Sequence, residues 1–408
     1  MADLKELKQN GAFCMLPWIH IYTTPTGAGG PCCIAHPNIN AGNSRTDSLI
    51  QMVNSPNMNQ LRLDMLNGVK NPMCATCHNH EEHNIRSFRD SVNFEYGRHF
   101  DEAMAATNEN GTLNDFKMRY FDIRFNNICN FKCRTCNQDY SSQWEMENKR
   151  MKVYFPPVFK NDSKTFLNEV LSHIPTIEVA YFAGGEPLIT EEHYVMLEEM
   201  IRTGRTDISL RYNTNLSNLK YKDKDLLQLW KHFDKKVQIS ASMDHFGKRA
   251  EYIRHGTDWG KVESNFKLLQ TIDNIDLQMN TVLSVYNFLT LDTFYQYLID
   301  NNMYIPKQYN TFSIYKMDSP SWLSCFILPE KHKQLGLDRI EKLTQTMKRM
   351  GFTPHCISEV RSIIPWAQSK NIWEEQKAMF KKETIRIDEL RDEKFVQTFP
   401  ELADLLFI

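Results

Sequence analysis

Three cysteines stand close together about a third of the way along the chain. Cys129, Cys133 and Cys136 are separated by three and then two residues, and they follow a strand-like run at residues 118–125. Thiolates this close in sequence are expected to bind the same metal centre. Three of them on a cluster of four irons leave the fourth iron open, and an open iron can bind and reduce a substrate or cosubstrate. The spacing therefore indicates a reactive 4Fe–4S cluster.

Zinc binding or simple burial would also account for these three cysteines. A structural zinc ion takes four ligands. The nearby polar residues are not habitual fourth ligands: Asn127, Asn130, Asn137 and Asp139. The spacing favours the cluster, and zinc stays open as an alternative.

A second set of cysteines lies nearer the start of the chain. Cys14, Cys32, Cys74 and Cys77 can enclose a metal completely, and Cys33, directly after Cys32, is a spare or alternative ligand. The same spacing serves a 4Fe–4S cluster or a four-cysteine zinc ribbon.

The residues between these cysteines predict how they are brought together. The alternating run at residues 18–23, followed by glycines at positions 27, 29 and 30, predicts a β-hairpin. Its two ends would present the first two cysteines of the set side by side. A helical segment at residues 55–67 then leads to the C-x2-C pair.

The composition narrows the class of protein. The chain has 408 residues with 48 basic and 50 acidic side chains, so bulk charge gives no pull toward nucleic acid or lipid. No apolar run approaches about 18 residues, and the first residues lack a signal-peptide core, so we expect a cytoplasmic protein without a membrane segment. Ten cysteines in a reducing compartment favour metal or cluster ligands over disulfides.

Strands and helices alternate from residue 118 onward. The strand-like runs are 118–125, 177–182, 208–213, 237–243, 277–283 and 308–314. The helix-like runs between them are 141–150, 191–203, 223–232, 261–272 and 291–301. This alternation predicts an α/β fold with a parallel sheet and outside helices. We expect a cysteine-bearing domain and linker at residues 1–114, an α/β core at 115–325 and a helical region at 326–408.

The cysteine spacing after the first core strand resembles that of the radical S-adenosylmethionine (radical SAM) enzymes. Their signature is C-x3-C-x2-C on the loop after the first barrel strand, and the residue before its last cysteine is usually aromatic, whereas here it is Thr135. That difference concerns only a local adenine contact. The resemblance implies a partial (β/α)6 TIM-like barrel with functional residues at the carboxyl ends of its strands. It also implies a 4Fe–4S cluster that binds S-adenosylmethionine.

The second core strand is followed by Ala-Gly-Gly-Glu-Pro at residues 183–187. Paired glycines let backbone carbonyls approach a ligand closely, because no Cβ intervenes. In the family this stretch holds the amino group of S-adenosylmethionine, and the resemblance assigns that role to Gly184, Gly185 and Glu186. Alone, the Gly-Gly-Glu-Pro sequence would indicate only a turn between a strand and a helix.

Polar residues follow the next two strands as well. Asn213 and Asn215 stand where the family has Thr-Asn-Gly and are candidates for contact with ribose or substrate, although asparagine also forms turns. Ser240 or Ser242, on the fourth strand, is a candidate for the ribose hydroxyls. Arg254 carries a guanidinium that can clamp the methionine carboxylate, and a surface ion pair is the simpler alternative.

The second cysteine set resembles the auxiliary-cluster module of radical SAM enzymes, the twitch form of the SPASM domain. Cys14, Gly27 and Cys32 fit its hairpin pattern, C-x9–15-G-x4-C. In relatives the module usually follows the barrel, whereas here it precedes it. The resemblance implies one auxiliary 4Fe–4S cluster.

These features lead to a functional hypothesis with two alternatives. We expect a radical SAM enzyme whose 5′-deoxyadenosyl radical abstracts hydrogen from a peptide or protein side chain, with ferredoxin or flavodoxin as electron donor. A small metabolite, such as a sugar or nucleotide, is the second substrate class. A zinc-binding adaptor is the alternative of another kind, and near-neutral charge disfavours nucleic acid as its partner.

Overall fold

The protein has an α/β fold built around a sheet of eight strands, as seen in a computed structural model that describes residues 6–7, 10–36, 40–82, 86–152, 164–304 and 312–407. The sheet strands are β1 (Tyr22–Thr23), β2 (Gly29–Gly30), β3 (Tyr120–Ile123), β4 (Val179–Phe182), β5 (Ser209–Thr214), β8 (Val237–Ser242), β9 (Ile275–Leu283) and β10 (Phe312–Lys316). A separate pair consists of β6 (Lys220–Tyr221) and β7 (Lys224–Asp225).

Helices occupy most of the chain between the strands. Before β3 they are α1 (Leu16–Ile19), α2 (Leu49–Val53), α3 (Pro56–Leu66), α4 (Ala75–Glu82), α5 (Phe88–Tyr96) and α6 (Phe100–Ala105). Between β3 and β10 they are α7 (Ser142–Arg150), α8 (Lys164–Ser172), α9 (Glu191–Arg202), α10 (Leu226–Trp230), α11 (Gly247–Ile253), α12 (Trp259–Gln270) and α13 (Leu291–Asp300). After β10 they are α14 (Glu330–Arg349), α15 (Pro354–Arg361), α16 (Ile363–Gln368), α17 (Trp373–Arg391) and α18 (Phe395–Thr398).

The predicted α/β fold with parallel strands is confirmed. Each of the six strand-like runs contains a strand, and β3, β4 and β5 pair in parallel, as do β9 and β10. Residues 308–311 of the sixth run lie outside the described residues. The helical character of the last region is also confirmed, because α14 to α18 follow one another there.

The predicted hairpin near the start is shorter than expected. Its strands are β1 and β2, in which Tyr22 pairs with Gly30, but residues 18 and 19 belong to helix α1. Pro17 stands in the first turn of that helix, where its fixed φ and missing N–H favour helix initiation. The strand prediction was therefore wrong for these residues. All four residues of α1 are buried, so alternation between apolar and polar residues does not mark an exposed face there.

The chain divides into two compact units. The first comprises Met1–Cys129, Gln138–Tyr212 and Asp225–Val237, and the second comprises Asn130–Asn137, Asn213–Lys224 and Gln238–Ile408. In the first unit β1 pairs in parallel with β3 and joins the hairpin to the strands of the core. Stacked Phe182 and Tyr212, with ring centroids 5.1 Å apart, lie in its interior.

The second unit contains β9 and β10, which alternate between buried and more exposed residues. This two-residue period puts apolar side chains against the helices and polar ones on the other face. Tyr252, Tyr286, Phe395 and Phe399 form an aromatic cluster that packs the C-terminal helices in this unit. In the part of the chain that the structure describes, no helix is long and apolar enough to cross a membrane.

Candidate active site

Backbone N–H groups point at the sulfurs of the hairpin cysteines. Burial raises the pKa of Cys14 and of Cys32, and the N–H groups of Leu16 and Ile34 oppose that rise by donating hydrogen bonds to the two sulfurs. The negative charge of a Cys14 thiolate also raises the pKa of Cys32. Such N–H···S contacts are a means by which proteins stabilise cluster-bound thiolates and set their potential.

The C-x2-C pair has the same kind of support. Burial raises the pKa of Cys74 to about 12 and also raises that of Cys77. The N–H groups of Phe88 and Arg89 donate to the Cys77 sulfur, and the Arg89 guanidinium lowers the pKa of both cysteines. Arg89 is itself held by an ion pair with Glu81.

The four thiols fit a cluster by their chemistry. Cys74 and Cys77 both influence the ionisation of Cys14, which places the C-x2-C pair within electrostatic reach of the hairpin. Among the described residues, no three cysteine, histidine, aspartate or glutamate side chains are arranged closely enough to hold a metal ion. Thiolates raise one another's pKa until a cation neutralises them.

Cys33 faces a different partner from Cys32. Its thiol forms a hydrogen bond with Asp122 on β3, a carboxylate that is fully buried. Burial raises the pKa of Asp122, whereas Arg124 and Cys33 lower it. The Nε of Arg124 donates to Oδ1 of Asp122 at 3.2 Å, and in the described part of the chain Oδ2 has no hydrogen-bond partner. This arrangement favours Cys32 as the auxiliary ligand.

The glycine pair at residues 184–185 packs against the start of the cysteine loop. A Cβ on Gly185 would lie 2.2 Å from the carbonyl oxygen of Ile128, the residue before Cys129. That same oxygen accepts a hydrogen bond from the N–H of Glu186 at 2.8 Å. Gly184 has a φ of +131°, a conformation that L side chains rarely adopt. Glycine at 185 is therefore required by backbone contact.

Glu186 is buried and caps a short helix. Its Oε1 accepts a hydrogen bond from the N–H of Leu188 at 3.1 Å, at the start of the 3₁₀ helix Pro187–Ile189. A small cavity of about 20 Å³ lies beside Gly185 and Glu186, with room for about one water molecule.

The second and third cysteines of the loop lie in the second unit, beside Arg254. Burial raises the pKa of Cys133, and the nearby Arg254 guanidinium lowers it. Cys136 also interacts with Arg254 through its charge. The guanidinium is paired with the buried Asp244, with Nε 2.8 Å from Oδ2 and Nη2 3.1 Å from Oδ1. Arg254 is thus positioned at the cysteines, but through a buried ion pair of its own.

Asn215 binds the cysteine loop. Its Nδ2 donates to Oδ1 of Asn130 at 2.9 Å, and the Nδ2 of Asn130 donates to Ser217. Leu216, at the position where the family usually has glycine, adopts a φ of +57°. The backbone keeps a conformation suited to glycine, although the residue is leucine.

The remaining predicted contacts lie on strands. Asn213 and the two serines are half-buried, and Ser240 and Ser242 share the less buried side of β8. Oγ of Ser240 accepts a hydrogen bond from Gln278 on β9 at 2.6 Å. These side chains form a polar face of the second unit.

Sequence reasoning missed two residues near the cysteines. Asp122 and Arg134 are both buried, and each has at least one partner far away in the chain. A charged residue within an otherwise apolar strand, and an arginine between two cysteines, were the only local signals available.

Comparison with known proteins finds one family match, and it covers the cysteine set nearer the start of the chain. Residues 14–78 match the SPASM family, an iron-sulfur cluster-binding domain, and this range contains all four predicted auxiliary ligands. No curated protein matches this chain.

Several solved structures resemble parts of this chain. The structure of native anSMEcpe with bound AdoMet is 16% identical with a TM-score of 0.37, covering 56% of this chain and 60% of that one. The structure of native anSMEcpe with AdoMet and Cp18Cys peptide is 14% identical, with the same coverage and TM-score. The TYW1 structure with a lysine-pyruvate adduct is 12% identical with a TM-score of 0.30, covering 57% of this chain and 71% of that one. This chain therefore spans about 60% of the length of anSMEcpe.

Proposed function

We propose that this protein is a radical SAM enzyme that modifies a side chain of a peptide or protein. The observation that carries the proposal is the contact between the glycine pair and the cysteine loop, because the stretch expected to hold S-adenosylmethionine meets the loop expected to hold the cluster. When bound, the cluster and S-adenosylmethionine supply a 5′-deoxyadenosyl radical, which abstracts a hydrogen atom from the substrate.

The residues of the chain divide this work. Cys129, Cys133 and Cys136 hold the cluster, leaving one iron for S-adenosylmethionine. Backbone carbonyls at Gly184 and Gly185 accept the amino group of the cosubstrate. Asn213 and the β8 serines contact the ribose or the substrate, and Asn215 acts through Asn130, whose hydrogen bond orients the loop.

Arg254 binds the methionine carboxylate of the cosubstrate in this proposal. Its pairing with Asp244 fixes the guanidinium beside Cys133 and Cys136, so little conformational entropy remains to be lost on binding.

The substrate class rests on the auxiliary module. Cys14, Cys32, Cys74 and Cys77 hold one 4Fe–4S cluster close to β3, through the pairing of β1 with that strand. Radical SAM enzymes with this module mostly modify peptides or proteins, which supports a peptide or protein over a small metabolite. The electron for cosubstrate cleavage comes from a donor such as ferredoxin or flavodoxin.

Anaerobic reconstitution with iron and sulfide tests the proposal. We expect broad absorption near about 400 nm from thiolate-bound iron, and release of 5′-deoxyadenosine after reduction in the presence of S-adenosylmethionine. Cys133→Ala should abolish this release. Cys33→Ser is the matched control, because this cysteine faces Asp122 and should leave the release unchanged.

The auxiliary site is tested separately. Cys77→Ala should lose the auxiliary iron, counted as iron and sulfide per chain, while cosubstrate cleavage uncoupled from substrate continues. Tight binding of zinc with no iron-dependent cleavage would show instead a zinc-binding adaptor. Equal cleavage by Cys133→Ala and the unaltered chain would contradict the assignment of the loop.

A further inference from the structure

Arg134 lies in the middle of the cysteine loop, directly after Cys133, and its side chain has no exposed surface. A buried guanidinium is costly unless nearby groups compensate its charge. The compensation comes from one short segment of the C-terminal region. Nη2 of Arg134 lies 2.5 Å from Oδ1 of Asp388 and 2.5 Å from Oε2 of Glu393.

The guanidinium is also stacked on an aromatic ring. Its Cζ lies 3.7 Å from the centroid of Tyr252, and the hydroxyl of Tyr252 donates to the same Oδ1 of Asp388 at 2.7 Å. Cation–π contact adds to the ion pairs where the charge is removed from water. Arg134 is therefore fixed in position as well as neutralised.

The backbone on both sides of Cys133 is held at the same place. The N–H of Arg134 donates to the carbonyl of Ile253 at 2.7 Å, and the N–H of Lys132 donates to the carbonyl of His255 at 2.9 Å. His255 is in turn paired with Glu393, with Nδ1 2.6 Å from Oε1. The carboxylate of Glu393 thus supports both the side chain and the backbone of the loop.

The end of α17 is shaped to present these two carboxylates. Asp392 adopts a φ of +51° directly after the helix, and the N–H of Glu393 returns to the carbonyl of Asp388 at 3.0 Å. The second oxygen of Asp388 accepts the N–H of Phe395 at 2.6 Å, which fixes the chain that follows. Both carboxylates of the turn therefore have defined partners.

We propose that residues 388–393 hold the cysteine loop in the geometry that binds iron, with Arg134 as the positioning residue. The inference rests on the proposed function of the loop and adds a part for the C-terminal region in it. Buried ion pairs contribute little net stability, because desolvation offsets their attraction. Their effect at this place is to specify one arrangement of the loop, and outer contacts of this kind commonly decide metal affinity.

The test measures iron binding by purified variants during anaerobic reconstitution. Arg134→Gln and Glu393→Gln should bind iron at the loop about 10-fold to 100-fold more weakly, and Arg134→Lys should recover part of the loss. Loop occupancy is read from the change that S-adenosylmethionine causes in the electron paramagnetic resonance spectrum of the reduced protein, since only an open iron responds. Circular dichroism and thermal unfolding confirm that each variant is folded.

Glu401→Gln is the matched control. Glu401 forms a bidentate ion pair with Arg249, at 2.7 and 2.9 Å, in the same region but away from the cysteine loop. It should leave loop occupancy unchanged. An equal loss in this control, or full occupancy in a folded Arg134→Gln, would overturn the inference.

Hydrogen exchange provides a readout independent of activity. Binding energies of linked sites are reciprocal, so reconstitution of the loop cluster should slow amide exchange in residues 388–399 of the unaltered chain. Amide exchange in this segment at the same rate with and without the loop cluster would also overturn the inference. Failure of the unaltered chain to build any loop cluster would instead refute the proposed function itself, which keeps the two failures distinct.

Discussion

Leu216 combines an unfavourable backbone conformation with a favourable burial of its side chain. Its φ of +57° is unfavourable for leucine, costing about 1–2 kcal/mol, yet its side chain is fully buried. The turn is held by a hydrogen bond from its N–H to Oγ1 of Thr214 at 3.0 Å, and from Asn265 to its carbonyl at 2.8 Å. Burial of a leucine contributes about 2–5 kcal/mol, so burial outweighs the strain.

Replacement of Leu216 separates these two terms. Leu216→Ala keeps the strain and loses the packing, whereas Leu216→Gly loses the packing and relieves the strain. We expect the free energy of unfolding to fall in both, with Leu216→Gly more stable than Leu216→Ala by about 1 kcal/mol. Urea unfolding monitored by circular dichroism measures the order. A glycine variant more stable than the natural chain would contradict this balance.

At the scale of elements, the sequence predicted the strands better than the hairpin. The core strands carry long buried runs whose ends coincide with polar residues, so both their positions and their parallel pairing followed from pattern. The first strand of the hairpin was misplaced because Pro17 begins a buried helix in the middle of an alternating run. Hydrophobic periodicity identifies an element that is buried on one face, and it does not identify one that is buried on all faces.

The ligands of the proposed site have local signals in the sequence, and these stay predictions, whereas the residues that support them have none. Cysteine spacing and the glycine pair are local signals. The partners of Arg134 are not, because Asp388 lies 254 residues away in sequence and only the fold brings the two together. The pairing of Cys33 with Asp122 is equally remote, and it is the contact on which the proposed choice of Cys32 as auxiliary ligand rests.

The contact between the glycine turn and the cysteine loop gives a prediction about elements. In Gly185→Ala the new Cβ would meet the carbonyl of Ile128 at 2.2 Å, so one backbone segment must shift. A displacement of about 1 Å can cost about 100-fold in rate, and we expect a loss of that order in 5′-deoxyadenosine release. Gly260→Ala is the control, because its nearest neighbour would be 3.6 Å away. Undiminished release by Gly185→Ala would argue against a tight fit at this turn.

At the scale of the whole molecule, buried histidines set the response to acid. Burial lowers the pKa of His20 to about 4, and lowers those of His193 and His245 to about 3. The unfolded chain protonates histidine near about pH 6.5, so between that pH and the folded values it binds more protons than the native state. Stability therefore falls as the pH drops below about 6.5.

Chemical denaturation at a series of pH values checks this prediction. Each buried histidine should cost about 1.4 kcal/mol per pH unit below 6.5. His245→Asn should give a shallower decline than the natural chain, because asparagine can still accept the hydrogen bond that the N–H of Phe246 donates to His245 Nδ1. The exposed His232 provides the control substitution, His232→Gln, which should not alter the slope. A stability independent of pH between 7 and 5 would contradict the prediction.

The anchoring of Arg134 by Asp388 and Glu393 has a consequence for biosynthesis. A ribosome makes the cysteine loop long before it makes the turn that holds it. Iron delivered to a nascent chain would meet thiols without their anchor. If the proposed anchoring holds, we expect insertion of the cluster to follow the release of residue 393 from the ribosome.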